Sequence, residues 1–290
     1  MTAMYHTIIG LPKSGKTTFL AALWHVLNAG EVSTKLQLDK LIGDSNHLNG
    51  IVEAWRRCDE VPHTSIAAET SVTIHIQDQA TGRKAVLGFP DLSGESFELQ
   101  VASRKAKIAY IEGLRGDGGI LLFVTADRAQ DGMTILDLAP LIAEPLEAEL
   151  KEVSQDKDVN RKHQVCVWKP SLVPEQVQLV ELLQFLQRKP FPRKKRRVAV
   201  VVSAWDVVLS KLSAEDWLSR ELPLLHQFLL SNPDDFDFRV YGVSAQGGDV
   251  TSKQKDELLR KTPSLRIQCE GRDTEAHDLT APVVWLMSEH

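Results

Sequence analysis

Cysteine, long apolar runs and surplus positive charge are all scarce in this chain, and each shortage closes off a class of protein. Only Cys58, Cys166 and Cys269 occur in 290 residues. They lie far apart without metal-ligand spacing, which excludes a disulfide framework and reads as the reduced thiols of a cytoplasmic protein. No run reaches the roughly 18 apolar residues of a membrane span. The opening "MTAMYHTIIG" enters a strand almost at once, so no signal peptide is expected, and "WLMSEH" carries no lipidation motif. With 34 Lys and Arg against 39 Asp and Glu, the net charge of −5 argues against a global nucleic-acid binder. No internal repeat is present. A hydrophobic content of 43% supports a sizeable core, and the length suits one domain over 1–290, or one domain with an insertion.

What is present is concentrated at residues 10–17, "GLPKSGKT". Gly10, Gly15, Lys16 and Thr17 fill the pattern G-x-x-x-x-G-K-[ST], with an apolar strand entering and an amphipathic helix leaving, as a phosphate-binding loop requires. Backbone N–H groups from Lys13 through Ser14 and Gly15 to Thr18 then point at the phosphates, where the helix N-terminus adds partial positive charge. Lys16 is expected on the β- and γ-phosphates, and the Thr17 hydroxyl on Mg²⁺.

Beyond the first helix, closed by Gly30, residues 31–69 read as a long mixed connection without clear strands. "TSVTIHIQ" and "RKAVLGF" alternate on either side of "DQATG" and predict a hairpin. "GGILLFVTAD", "RRVAVVVSAWD" and "FRVYGVSAQG" predict buried parallel strands. Helical patterns fall at 96–111, 138–153, 175–187 and 215–230. The expected fold is α/β, a P-loop NTPase three-layer sandwich: a mostly parallel sheet with one antiparallel edge strand, plus a helical insertion at about 129–197 docked on the core. The insertion ends in "RKPFPRKKRR", with seven cations in ten residues. That run reads first as a solvated loop and second as a site for an anionic partner. Trp24, His25 and Trp55 read as helix-face packing.

Other strand ends narrow the chemistry. "FPDLSGE" sets Asp91 to hold Mg²⁺ through water and the Gly94 N–H to sense a γ-phosphate. "SAWD" sets Asp206 at the end of a buried strand, either to accept from guanine N1 and N2 or to cap the next helix. "GVSAQ" offers Ser244 and Ala245, with a backbone N–H for guanine O6.

These motifs, in this order, resemble the TRAFAC-class Ras-like GTPases. "GLPKSGKTTFLAALW", the Trp before the specificity Asp and the late "DLTAPVVWLM" are most similar to bacterial double-GTPase domains of signalling and conflict systems. The resemblance implies GTP and GDP as ligands, Mg²⁺, and a conformational switch toward a protein effector or regulator. A switch-one threonine is then expected before "TSVTIHI", at Thr64 or alternatively Thr70. The sequence departs from the family twice. Ser203 and Ala204 replace Asn and Lys of the guanine motif, so base packing falls to Trp205 or to a residue elsewhere. Glu95 replaces the usual water-orienting Gln, and its charge predicts slow hydrolysis. Lys13 holds the position where some resembling GTPases use Asn to bind potassium and guanylate-binding proteins use an Arg finger. It therefore stands either as an internal cation or as a solvated ammonium. Three functions remain open: a slow GTPase switch, a nucleotide-gated scaffold with little hydrolysis, and an ATPase.

Overall fold

The computed structural model describes residues 4–42, 45–59, 72–90, 94–127, 173–208, 211–251 and 254–288. Its strands are β1 (Met4–Gly10), β2 (Leu36–Ile42), β3 (Val72–Asp78), β4 (Lys84–Phe89), β5 (Ile120–Thr125), β6 (Arg196–Ser203), β7 (Phe236–Ser244) and β8 (Gln268–Glu270). They form one sheet in the order β2-β3-β4-β1-β5-β6-β7-β8. Strands β4, β1, β5, β6 and β7 are mutually parallel. β3 runs antiparallel to both its neighbours, and β8 runs antiparallel to β7.

Helices cover both faces, as central parallel strands require. They are α1 (Lys16–Ala29), α2 (Ser45–Arg56), α3 (Glu95–Ser103), α4 (Ile108–Gly113), α5 (Glu175–Phe185), α6 (Ala214–Glu221), α7 (Pro223–Ser231), α8 (Gln254–Arg260), α9 (Pro263–Arg266) and α10 (Ala281–Met287). The period-2 alternation of each strand feeds two cores. Leu121, Phe123, Ala199 and Val201 pack with α1, α2 and α10. Ile120, Leu122, Val198 and Val200 pack with α3 to α7 on the other face. Each such buried aliphatic contributes about 1.5–3 kcal/mol.

Four details differ from the sequence expectation. Residues 31–69 contain β2 and α2: the alternation of "LQLDKLI" is broken by a register shift between Leu38 and Lys40, which hides the period of 2. Helix α2 carries Gly50 and Asn residues of low helix propensity, yet buries Leu48, Ile51 and Trp55 on one face. The pattern at 96–111 splits into α3 and α4 because Arg104 takes a left-handed conformation at the end of α3. The pattern at 215–230 splits where Pro223 starts a new helix. The helix expected at 138–153 lies outside the described residues, as does 129–172 of the insertion. Of the remainder, α5 packs into the second core.

The basic run divides by role. Arg196 is buried and donates to the Leu114 and Pro192 carbonyls, Lys194 donates to the Arg115 carbonyl, and Arg197 ties to Trp285 and Ser288. Arg188, Lys189, Arg193 and Lys195 remain exposed. They sit at the start of β6, about 25 Å along the strand from the phosphate-loop pole.

Candidate nucleotide site

Strand β1 ends at Gly10 between β4 and β5, so the chain leaves it at the point where strand order reverses, the place ligands occupy in open α/β sheets. The loop of residues 10–17 turns there into α1. Gly15 has φ of 89°, a left-handed conformation that glycine adopts without steric cost. A Cβ on Gly15 would also stand 2.7 Å from Cβ and Oγ of Ser203. The family's Asn position, filled here by Ser203, thus packs directly on the phosphate loop. Lys13 also has a positive φ, 61°, at a cost of about 1–2 kcal/mol for a residue with a Cβ. Its ammonium is exposed and makes no hydrogen bond or ion pair to described residues.

Lys16 is 2% exposed. Its Nζ donates to the carbonyls of Gly10 and Leu11 at 2.8 Å each and to Ser14 Oγ at 3.3 Å. These contacts hold a full positive charge at the mouth of the loop. Gly94, φ 84°, meets it from the end of β4: a Cβ there would lie 2.7 Å from Lys16 Nζ and from the Gly10 carbonyl. Glu95 and Glu98 follow on α3. Burial, and then the negative charge of Glu95, hold the Glu98 carboxyl above its ordinary pKa, with Lys16 opposing. A cation and two carboxylates therefore share one end of the loop.

Thr17 and Thr18 begin α1. The Thr17 hydroxyl is a hard oxygen donor next to Lys16, and Mg²⁺ in phosphate sites takes only one or two protein oxygens. Thr17 is the described residue of the expected donor set, and a hydroxyl oxygen is a donor type that ion accepts. Among the described residues no group of three His, Cys, Asp or Glu gathers as a metal cage. Asp91, Thr64 and Thr70 lie outside the described residues.

The candidate base side lies at the ends of β6 and β7. Ala204 is left-handed at φ 52°, followed by a short 3-10 turn at Trp205–Val207. Asp206 is half-buried and its Oδ1 accepts from the Ser244 hydroxyl, which in turn accepts from the Gly247 N–H at 3.0 Å. The fully buried Ser244 therefore orients the carboxylate, and the cap of α6 is Ser213, with no helix-capping contact from Asp206 among the described residues. The Trp205 side chain faces the core. Its indole is buried against Gly242 and edge-on to Trp217, and its N–H donates to Glu270 Oε2 at 2.7 Å. The turn at Ala204 directs that ring into the core instead.

Residues 7–286 match the family described as Double-GTPase 1. The chain belongs to the Double-GTPase 1 family. No curated protein matches it. Among solved structures, the signal recognition particle receptor SRb-GTP/SRX complex from Chaetomium thermophilum is similar at 16% identity, over 84% of this chain and 92% of that one, with a TM-score of 0.37. Family membership supports GTP binding and hydrolysis by this double-GTPase on its P-loop α/β fold. No described helix is long and apolar enough to cross a membrane.

One contact at this double-GTPase's base side had no counterpart in the motifs. Trp55, in α2, donates its indole N–H to the Ala245 carbonyl at 2.9 Å. The spacing of Leu48, Ile51 and Trp55 announces a packed helix face, but nothing in it announces this acceptor.

Proposed function

We propose that this chain binds GTP with Mg²⁺, hydrolyses it slowly, and signals its nucleotide state to a protein partner through residues 31–69 and 91–105. The observation that carries the reading is the meeting of Gly94 with the Lys16 ammonium at the mouth of the loop. There, one backbone N–H and one cation would both face a γ-phosphate and lose that contact on its release. In this scheme the N–H groups of Lys13, Ser14, Gly15 and Thr18 hold the phosphates. Lys16 neutralises the developing charge between the β- and γ-phosphates, while Asp206 accepts from guanine N1 and N2 and the Ala245 N–H donates to O6. Thr17, with Asp91 and Thr64, would hold Mg²⁺. When bound, that ion screens the charge of the phosphate oxygens.

Glu95 and Glu98 favour a second reading, a nucleotide-gated scaffold with little turnover, because anionic side chains beside the γ-phosphate position oppose the charge it carries. The absence of a lysine stem at Ala204 keeps ATP as a competitor for the base side. Single-turnover phosphate release with GTP and with ATP separates the three. Release from GTP, slow but faster than in buffer, supports the leading reading. No release with tight GTP binding favours the scaffold, and preference for ATP removes the guanine assignment.

A further inference from the structure

The loop Ser244–Gly247 is held from behind as well as from the Asp206 side. Trp55 is fully buried, and its N–H takes the Ala245 carbonyl at 2.9 Å while its own carbonyl accepts from Gln246 Nε2 at 3.2 Å. Two neighbouring loop residues are thus bonded to one residue of α2. The indole itself has little freedom. The Arg266 guanidinium lies 5.0 Å from its ring centroid, and the His25 ring of α1 lies 5.1 Å away. Arg266 NH2 also donates to the Trp55 carbonyl at 3.4 Å, NH1 donates to Cys58 Sγ, and the Arg266 backbone packs against Gly247. His25 is fixed in turn through Glu31, 3.2 Å away, whose carboxylate accepts from the Ser264 N–H at 3.1 Å.

Ala245 has one carbonyl and one N–H. The carbonyl lies in the peptide plane shared with Gln246 and the N–H in the plane shared with Ser244; with the carbonyl committed to Trp55 and Ser244 held between Asp206 and Gly247, both sides of Ala245 are restrained before any base arrives. We infer that Trp55 is a positioning residue for base recognition: it restrains the loop residue that reads the 6-carbonyl of the purine. The inference rests on the reading of Ser244 and Ala245 as the base loop.

The test compares GTP, 6-thio-GTP and ATP affinities in the parent and in Trp55→Phe, which keeps an aromatic ring near Arg266 while removing the N–H together with the second ring of the indole. Sulfur at position 6 is a weak acceptor, so it reports the 6-carbonyl contact. We expect GTP binding to weaken about two- to tenfold, as for one net hydrogen bond, with 6-thio-GTP binding unchanged, so that discrimination narrows. Equal loss for both nucleotides, or no loss for either, overturns the positioning role. A parent with no preference for GTP over ATP removes the base-loop reading itself, and the inference with it.

A measurement on the unmodified protein guards against a variant that fails to fold. Pyrophosphate and GDP both offer phosphates to the loop, but only GDP carries a base. The Trp55 indole N–H resonance is expected to shift with GDP and not with pyrophosphate. An equal response to both, or to neither, overturns the inference.

Discussion

Lys16 reaches Gly10 and Leu11 across six and five residues of chain, whereas Asp206 meets Ser244 across 38 and Trp55 meets Ala245 across 190. The lysine contacts of the candidate phosphate half are therefore local, closing a turn on itself, with Gly94 and Ser203 meeting that turn from distant segments. The candidate base half is an assembly of β6, β7, α2 and α9. A local turn keeps its geometry as long as its own glycines and its first helix form. An assembled pocket keeps its geometry only if every contributing element is seated, and neighbouring contacts in it are not additive. The two halves should accordingly fail in different ways.

The largest effect is expected in the phosphate half. Lys16→Ala removes a buried cation whose charge-assisted hydrogen bonds are worth about 1.5–3 kcal/mol apiece. Triphosphate affinity should fall about 100-fold in titration calorimetry, with the fold retained at a lower melting temperature because the Gly10 and Leu11 carbonyls lose a donor. Unaltered affinity in the folded variant would break the phosphate-loop assignment.

Asp206→Asn probes the base half. An amide offers a donor where guanine also donates and xanthine accepts, so preference should move from GTP toward XTP by about 30-fold, within the range for a purpose-built polar contact. Competition binding with both nucleotides measures it. A variant that keeps its GTP preference would mean that the Asp206–Ser244 pair is structural and that the base is read elsewhere.

Lys13→Ala returns to the phosphate half with a smaller effect. The exposed, left-handed Lys13 should contribute to turnover and little to ground-state binding. Single-turnover hydrolysis should slow about tenfold while GTP affinity stays nearly constant, the pattern of a charge used only in the transition state. Exchanging potassium for sodium should leave the parental rate unchanged. A variant with parental hydrolysis would return Lys13 to the solvated surface.

The smallest nucleotide effect belongs to Trp205→Phe. Because the indole faces Gly242, Trp217 and Glu270, the loss should appear as about 2–4 kcal/mol of stability, one side-chain hydrogen bond plus the cavity left by the missing ring. GTP affinity should change less than about twofold. A large loss of guanine selectivity at unchanged stability would mean that Trp205 does pack on the base.

Much of the frame was legible in the chain. "HTIIGLPKSGKTTFL" fixed a strand, a turn and a helix, because Gly at 10 and 15 and Lys at 16 are dictated by backbone conformation and local charge. The apolar runs at 120–125 and 196–203 marked central strands, because burial on both faces leaves no polar alternation. The edge was not legible. β2 carries a register break that removes its period, and β8 has only three residues. Both exist because β3 and β7 present unpaired backbone groups to them, a property of neighbours and not of their own residues.

The base half shows the same boundary from the functional side. Asp206, Ser244 and Ala245 were expected at strand ends, since parallel topology brings those ends to one pole. Composition and order determined the sheet, the pole and the phosphate loop, because each depends on contacts within a few residues or on a pattern repeated along a strand. Only the tertiary structure decided that Trp205 turns inward, that Ser203 seats on Gly15, and that Trp55 closes the loop from behind. Each of those outcomes depends on a direction in space between segments far apart in the chain, and a one-dimensional pattern carries no such direction.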